Sequence, residues 1–248
     1  MSLPSRPSSS HALTFALCVA CAPATPAPAA PTPPAVAPSH EHGGHHAGHH
    51  GGGEHGFHKD FSDAKAFSAS FDNPERDTWQ EPEAVLDLMK IAPASTVVDL
   101  GAGTGYFVPR LSQRVGPSGT VLALDVEPKM VDFLKQRVEE QKLANVEPRL
   151  VPFDDPKLAA GSISRILIVN TWHHIDERPS YSKKLAAALD AQGEVWIVDF
   201  TLESESGPPP EYRIPAGQVV RELEQGGLHA QVVEPEPLPR QYIVRATR

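Results

Sequence analysis

The chain has 248 residues, a formal net charge of −9 and a hydrophobic content of 40%, which allows one domain of ordinary size with a packed core, plus extensions. The acidic balance, with no lysine/arginine cluster to offset it, argues against a nucleic-acid phosphate backbone as the main partner. Only two cysteines occur, Cys18 and Cys21, both near the N-terminus, so the folded part has no disulfide, cysteine metal site or catalytic thiol.

Residues 1–21 read as an export signal. Arg6 supplies a thin positive region, and residues 12–20 an apolar stretch too short to span a bilayer as a helix. Cys18-Val-Ala-Cys21 resembles a bacterial lipobox, with Ala20 before the cysteine and Cys18 where a leucine is usual. A lipoprotein signal with a membrane tether through a lipidated Cys21 is the expectation, which puts the protein on the periplasmic side; a plain signal peptide or an unprocessed start is the alternative. Residues 22–39 are mostly Ala, Pro, Thr and Ser and read as an extended tether. A histidine tract follows: His40, His42, His45, His46, His49, His50, His55 and His58 among glycines. Neutral imidazoles bind transition metals, but flexible glycines impose no geometry, so binding would be weak. A solvated spacer explains the tract equally well. Residues 22–58 thus form a linker, and residues 59–248 the folded domain.

Phe61, Ala64, Phe67 and Phe71 recur at helical spacing and predict a short amphipathic helix. Residues 72–82 are a turn-rich connector holding Trp79, and residues 83–91 a helix leading into the first strand. That strand is the apolar run from Val97, with Asp99 near its end. It breaks into Gly101-Ala102-Gly103-Thr104-Gly105 and resumes as a helix over Tyr106–Val115, whose apolar residues fall at helical spacing. A strand, a glycine turn and a helix in this order make a nucleotide-type site, because glycines admit a ligand to the backbone and the helix start offers free N–H groups.

The spacing departs from the dinucleotide fingerprint G-x-G-x-x-G. The third glycine comes one residue early, and Tyr106 stands where the fingerprint has glycine, which disfavours a nicotinamide oxidoreductase. The stretch D-x-G-x-G-x-G resembles motif I of the class I S-adenosylmethionine-dependent methyltransferases. The resemblance implies a Rossmann-like α/β fold, with a seven-stranded sheet, mostly parallel with an antiparallel last strand, and helices on both faces. It implies S-adenosyl-L-methionine as cofactor, admitted by Gly101, Ala102, Gly103 and Gly105, with Asp99 holding its amino group. It also implies that Phe71 and Trp79 fold over the site, unless they pack on the core. Methyltransferases acting on arsenite hold it with several thiolates, which residues 59–248 lack.

The second strand, Thr120–Asp125, ends on an acid twenty positions after Gly105. Asp125, followed by Val126, is placed to accept from both ribose hydroxyls or to cap the next helix. That helix opens near Pro128 and runs to about Lys142. The third strand, Val146–Val151, belongs near an edge because Pro148 cannot donate a ladder bond. In the family pattern the acid after this strand receives the adenine amino group: Asp154 first, Asp155 second, with loop solvation as the alternative.

The fourth strand, Ser164–Asn170, runs into Thr171, Trp172, His173, His174 and Ile175. In an open parallel sheet, ligands sit beyond the strands' carboxyl ends where strand order reverses, so Asn170 to His174 are expected to face the methyl group and its acceptor. The stretch resembles the Asn-x-x-His-His-Ile version of small-molecule methyltransferases, closest in look to the ubiquinone/menaquinone C-methyltransferase-like group. His173 or His174 would remove an acceptor proton, or serve structurally. No metal is required. A helix over 180–189, a fifth strand over 190–200, a Pro/Gly-rich loop over 204–210, a helix over 215–226 and two closing strands follow; strands joined without a helix pair antiparallel. The expected activity is methyl transfer to a small-molecule acceptor. Because S-adenosylmethionine is made in the cytoplasm while the signal points outward, an exported binding or sensing module with a metal-collecting histidine tail is the competing reading.

Overall fold

The computed structural model describes residues 63–235 and 238–248. The signal, Cys18 and Cys21, the tether, the histidine tract, Phe61 and the boundary at residue 59 lie outside the described residues.

The elements in order are α1 (Ala64–Phe71), a 3-10 turn (Pro74–Arg76), α2 (Asp77–Gln80), α3 (Pro82–Met89), β1 (Thr96–Leu100), α4 (Val108–Val115), β2 (Thr120–Asp125) and α5 (Pro128–Glu140). Then come β3 (Val146–Leu150), β4 (Ile163–Val169), a 3-10 turn (Trp172–His174), α6 (Arg178–Ala188), β5 (Leu189–Phe200), a 3-10 turn (Pro210–Tyr212), α7 (Ala216–Gln225), β6 (His229–Val232) and β7 (Gln241–Thr247). The seven strands form one sheet in the order β3-β2-β1-β4-β5-β7-β6. Strands β1 to β5 are parallel, and β7 runs antiparallel to both β5 and β6.

The order follows from burial. β1, β2, β4 and the second half of β5 are almost continuously buried, as strands covered on both faces must be. One face packs on α3, α4 and α5 through Leu86, Leu111 and Leu134. The other packs on α6 and α7 through Leu185 and Leu223. β3 is the exposed edge, where Pro148 sits opposite Ala123 and its missing N–H costs nothing.

Two local expectations need correction. The connector 72–82 is not only turns: it winds into a 3-10 turn and the short α2. The helix after the glycines starts at Val108 rather than Tyr106, with Pro109 in its first turn, where a missing N–H is harmless.

Between β4 and α6 the 3-10 turn sends successive side chains different ways. Trp172 is fully buried under α7 and donates from Nε1 to Glu222 at 2.9 Å. Glu222 also accepts from Arg178 Nε at 3.0 Å and Gln218 Nε2 at 2.9 Å. This buried carboxylate anchors the turn carrying the two histidines. Replacing Glu222 by Ala strands the indole N–H and a guanidinium. It should lower unfolding free energy by about 3 kcal/mol in a denaturant titration, with Glu222→Gln losing less.

Candidate active site

The parallel strands β1, β2, β4 and β5 end on one edge of the sheet, and strand order reverses between β1 and β4. A cavity of about 590 Å³ opens there. Its floor is the glycine loop. Gly101 has φ +75°, and a methyl group at its Cα would overlap the Thr171 side chain, so a glycine lets the β1 and β4 loops touch. Asn170, at the end of β4, is itself left-handed (φ +53°), a conformation asparagine tolerates better than most residues. Gly103 (φ +55°) lies against the ring of Phe71.

Asp125 organises this loop from the side. Its Oδ2 accepts from the Gly103 N–H at 2.8 Å and its Oδ1 from the Glu127 N–H at 2.9 Å. Burial pushes its carboxyl up from the usual range, against the pull of these backbone donors. Asp99 is deeper, 3% exposed. Its carboxylate accepts no hydrogen bond from a described residue, and burial pushes it up to about 7 despite the attraction of Arg76.

The cover comes from the N-terminal segment. Phe71 and Trp79 both line the cavity, and Trp79 meets Phe200 at 5.8 Å between ring centroids. Asp72 latches the segment to the domain through Arg137 Nη1 at 2.9 Å and Thr104 Oγ1 at 3.1 Å. Tyr106 donates its hydroxyl to Asp77, which also pairs with Arg110 at 2.9 Å. Arg76 lies over the Tyr106 ring at 3.9 Å and donates to Gln80 Oε1, which starts a buried amide chain. Gln80 Nε2 donates to Gln241 Oε1 at 2.6 Å, and Gln241 Nε2 donates to Asn170 Oδ1.

His173 and His174 both line the cavity, with ring centroids 4.2 Å apart. His173 is held by a partner that the sequence reading missed: its Nδ1 lies 3.0 and 2.9 Å from the two oxygens of Asp199, and both side chains are 4% exposed. A carboxylate accepts only, so Nδ1 carries the proton and Nε2 is the basic nitrogen. Asp199 sits just before the end of β5, the position that drew attention to Asp99 and Asp125, so the same rule would have found it. Arg76 and Gln80 carried no signal; only the fold brings that connector against the cavity.

Of the expected site residues, Asp99, Gly101, Ala102, Gly103, Asp125, Val126, Asn170, His173 and His174 line the cavity. Three placements differ. Gly105 turns away and packs on Leu134 of α5. Trp172 is buried on the opposite face of the turn. Asp154 is 85% exposed and lies 3.7 Å from Lys184; from that loop it is Phe153 that reaches the cavity.

The buried Asp99 makes a pH signature. Its folded value lies above its unfolded one, so the folded state binds the extra proton and wild type loses stability as pH rises from 4 through 7. Asp99→Asn lacks this titration. Its stability relative to wild type should rise over that window and level off above pH 7, as read by denaturant unfolding at each pH.

The comparisons agree with this geometry. A family model described as a methyltransferase domain matches residues 97–193. The crystal structure of an S-adenosylmethionine-dependent methyltransferase from Aquifex aeolicus superposes with a TM-score of 0.70 at 29% identity, covering 76% of this chain and 98% of that one. Nocamycin O-methyltransferase of Saccharothrix syringae is 28% identical over 129 residues, 52% of this chain and 44% of the relative. The ubiquinone/menaquinone biosynthesis C-methyltransferase of Geotalea daltonii is 25% identical over 114 residues, 46% of this chain and 48% of the relative. The chain spans about half the length of these curated relatives. The sheet order and the glycine loop agree with these matches, which give the described part of the chain the Rossmann-like fold of S-adenosylmethionine-dependent methyltransferases.

Proposed function

We propose that the protein moves the methyl group of S-adenosylmethionine to a small, largely apolar acceptor that loses a proton on transfer, at a hydroxyl, an amine or a hydroxyl-activated carbon. The observation that carries this reading is the His173–Asp199 pair at the cavity wall. The cofactor supplies a methyl already activated on a sulfonium, so the protein's tasks are to align the acceptor, exclude water and take its proton. Asp199 fixes the tautomer of His173 and stabilises the imidazolium that forms on proton transfer. A base here serves an acceptor that must give up a proton, whether a hydroxyl, an amine or a ring carbon activated by an adjacent hydroxyl; an acceptor that is already anionic needs none.

The residues present suit the cofactor. The glycine loop admits it closely, Asp99 offers a carboxylate to its amino group and Asp125 to its ribose, and Val126 and Phe153 offer apolar walls at the adenine end. Trp79, Phe200, Pro208 and Pro209 leave a dry, flat-sided space for the acceptor. These cavity-facing groups support an enzyme over a binding module that has lost its site.

The test pairs binding with turnover. Calorimetry should show micromolar S-adenosylhomocysteine binding, abolished by Asp125→Ala. With methyl-labelled cofactor and a panel of hydroxylated and aminated small molecules, His173→Ala should slow transfer about 10²- to 10⁴-fold without weakening S-adenosylhomocysteine. Absence of binding would retire the enzyme reading; unchanged turnover in His173→Ala would retire the base.

We also propose export with lipidation at Cys21, on the strength of Arg6, the apolar stretch over 12–20 and the Cys18–Cys21 signature. Mass spectrometry of membrane-extracted protein should find an N-terminus at a modified Cys21; an intact Met1 or Ser2 would sink the proposal.

A further inference from the structure

Asp199 has fewer donors than its burial calls for. It holds His173, and both side chains are 4% exposed. Its Oδ1 accepts from the Phe200 backbone N–H at 2.9 Å, and the one proton on His173 Nδ1 is shared between Oδ1 and Oδ2. A carboxylate has about four acceptor sites, so Oδ2 has no donor of its own among the described residues. While His173 is neutral, no described cation pairs with Asp199 either.

Its cross-strand neighbour has the opposite lack. Tyr242 stands directly opposite Asp199 in the β5–β7 pair, so both side chains leave the same face of the sheet. Ile197, two residues before Asp199, and Tyr242 both belong to the face covered by α6 and α7, with Leu185 and Leu223. Tyr242 is 2% exposed, and its hydroxyl has no hydrogen-bond partner among the described residues. Burial pushes the phenol well above its usual range; Asp199 and then Glu222 add to the rise, and Arg178 opposes it. The hydroxyl is therefore a donor that feels two carboxylates. Glu222 already takes three donors, one of them the Arg178 cation. Asp199 has neither a third donor nor a cation.

A buried donor without an acceptor and a buried carboxylate short of donors are each costly alone and satisfied together. We infer that Tyr242 is a positioning residue for the base: in the working enzyme its hydroxyl closes on Asp199 as a third donor and tempers the carboxylate's pull on the His173 imidazole. The inference rests on the base reading above. A bare buried carboxylate favours an imidazolium beside it, and an imidazolium cannot take the acceptor's proton. A further donor to Asp199 draws off part of that charge and leaves the imidazole free at lower pH. The other charged or titratable groups about the pair are Glu222 on α7, Arg178 on α6, His174 on the same turn, and Asp99 and Arg76 on the cavity wall. Glu222 and Arg178 pair with each other at 3.0 Å. Asp99, pushed up to about 7, is common to wild type and a Tyr242 variant, so their difference isolates the hydroxyl.

The experiment follows the His173 imidazole by nuclear magnetic resonance in the full-length protein with saturating S-adenosylhomocysteine. Its signal is the one lost in His173→Ala. Tyr242→Phe keeps the ring and removes only the hydroxyl. The midpoint of the His173 titration should rise by about one half to one pH unit in this variant. The acid limb of the kcat profile should move up with it, with KM for the cofactor unchanged. An unchanged or lowered midpoint overturns the inference. So does a kcat reduced equally at every pH, the mark of a ring that only packs. Near-ultraviolet circular dichroism checks the fold. Should Tyr242→Phe not fold, replacing tyrosine by 3-fluorotyrosine keeps the ring and strengthens the phenol as a donor. The midpoint should then fall, and a fixed midpoint overturns the inference. The two readings fail separately. Unchanged turnover in His173→Ala removes the base, whatever the midpoint does; slowed turnover there with a fixed midpoint in Tyr242→Phe removes only the role of Tyr242.

Discussion

The contact between Gly101 and Thr171 is the constraint on which the site depends. It is where the loop after β1 meets the loop after β4, at the point where strand order reverses. Any side chain at 101 would force these loops apart. Closing them fixes three things at once: Asn170 meets the amide chain from Gln241, the turn after it drops Trp172 into the core, and His173 is delivered to Asp199. Asp125 acts on the same loop from the other side by holding the Gly103 N–H. The cavity floor is therefore set by backbone approach and by one carboxylate rather than by bulky packing.

The cavity also concentrates groups that a protein optimised for stability alone would not retain. Asp99 is buried without a described donor, and Arg76 stands near it without an ion pair. Elsewhere buried charge is answered locally: Glu222 takes three donors, and Glu194 accepts from Trp196 and pairs with Arg245. Two other buried side-chain atoms among the described residues, the Tyr242 hydroxyl and Arg245 Nε, also lack a partner, but only the cavity keeps a whole carboxylate in that state. Local rule-breaking of this kind is a usual mark of a place where function outweighs stability.

Much of this was legible in the sequence. β2 has the predicted bounds because an apolar run ended cleanly on Asp125. The edge position of β3 followed from one residue, Pro148, and the pairing of β6 with β7 from the lack of a helix between them. The glycine spacing placed the cavity, because three alternating glycines after a strand have few other physical uses. What stayed hidden depends on which way a side chain turns, or on contacts far apart in the chain. Trp172 lies between two cavity neighbours and faces away, since a 3-10 turn rotates each residue by about a third of a turn. Asp154 occupies the expected loop but points to water. Gln80 finds Gln241 across 161 positions, a pairing that no local pattern announces.

That last pairing bears on how the cover and the sheet depend on one another. β7 lies between β5 and β6 in the sheet, although it follows both in the chain. Gln241 at its start is the middle link between the N-terminal cover and the end of β4. One strand thus serves two neighbours of opposite kinds: it pairs with β5 and β6 through its backbone and fastens the cover through a single amide side chain. A disturbance of β7 would therefore reach the cavity from both sides, by opening a slot beside β5 and by releasing the cover from β4.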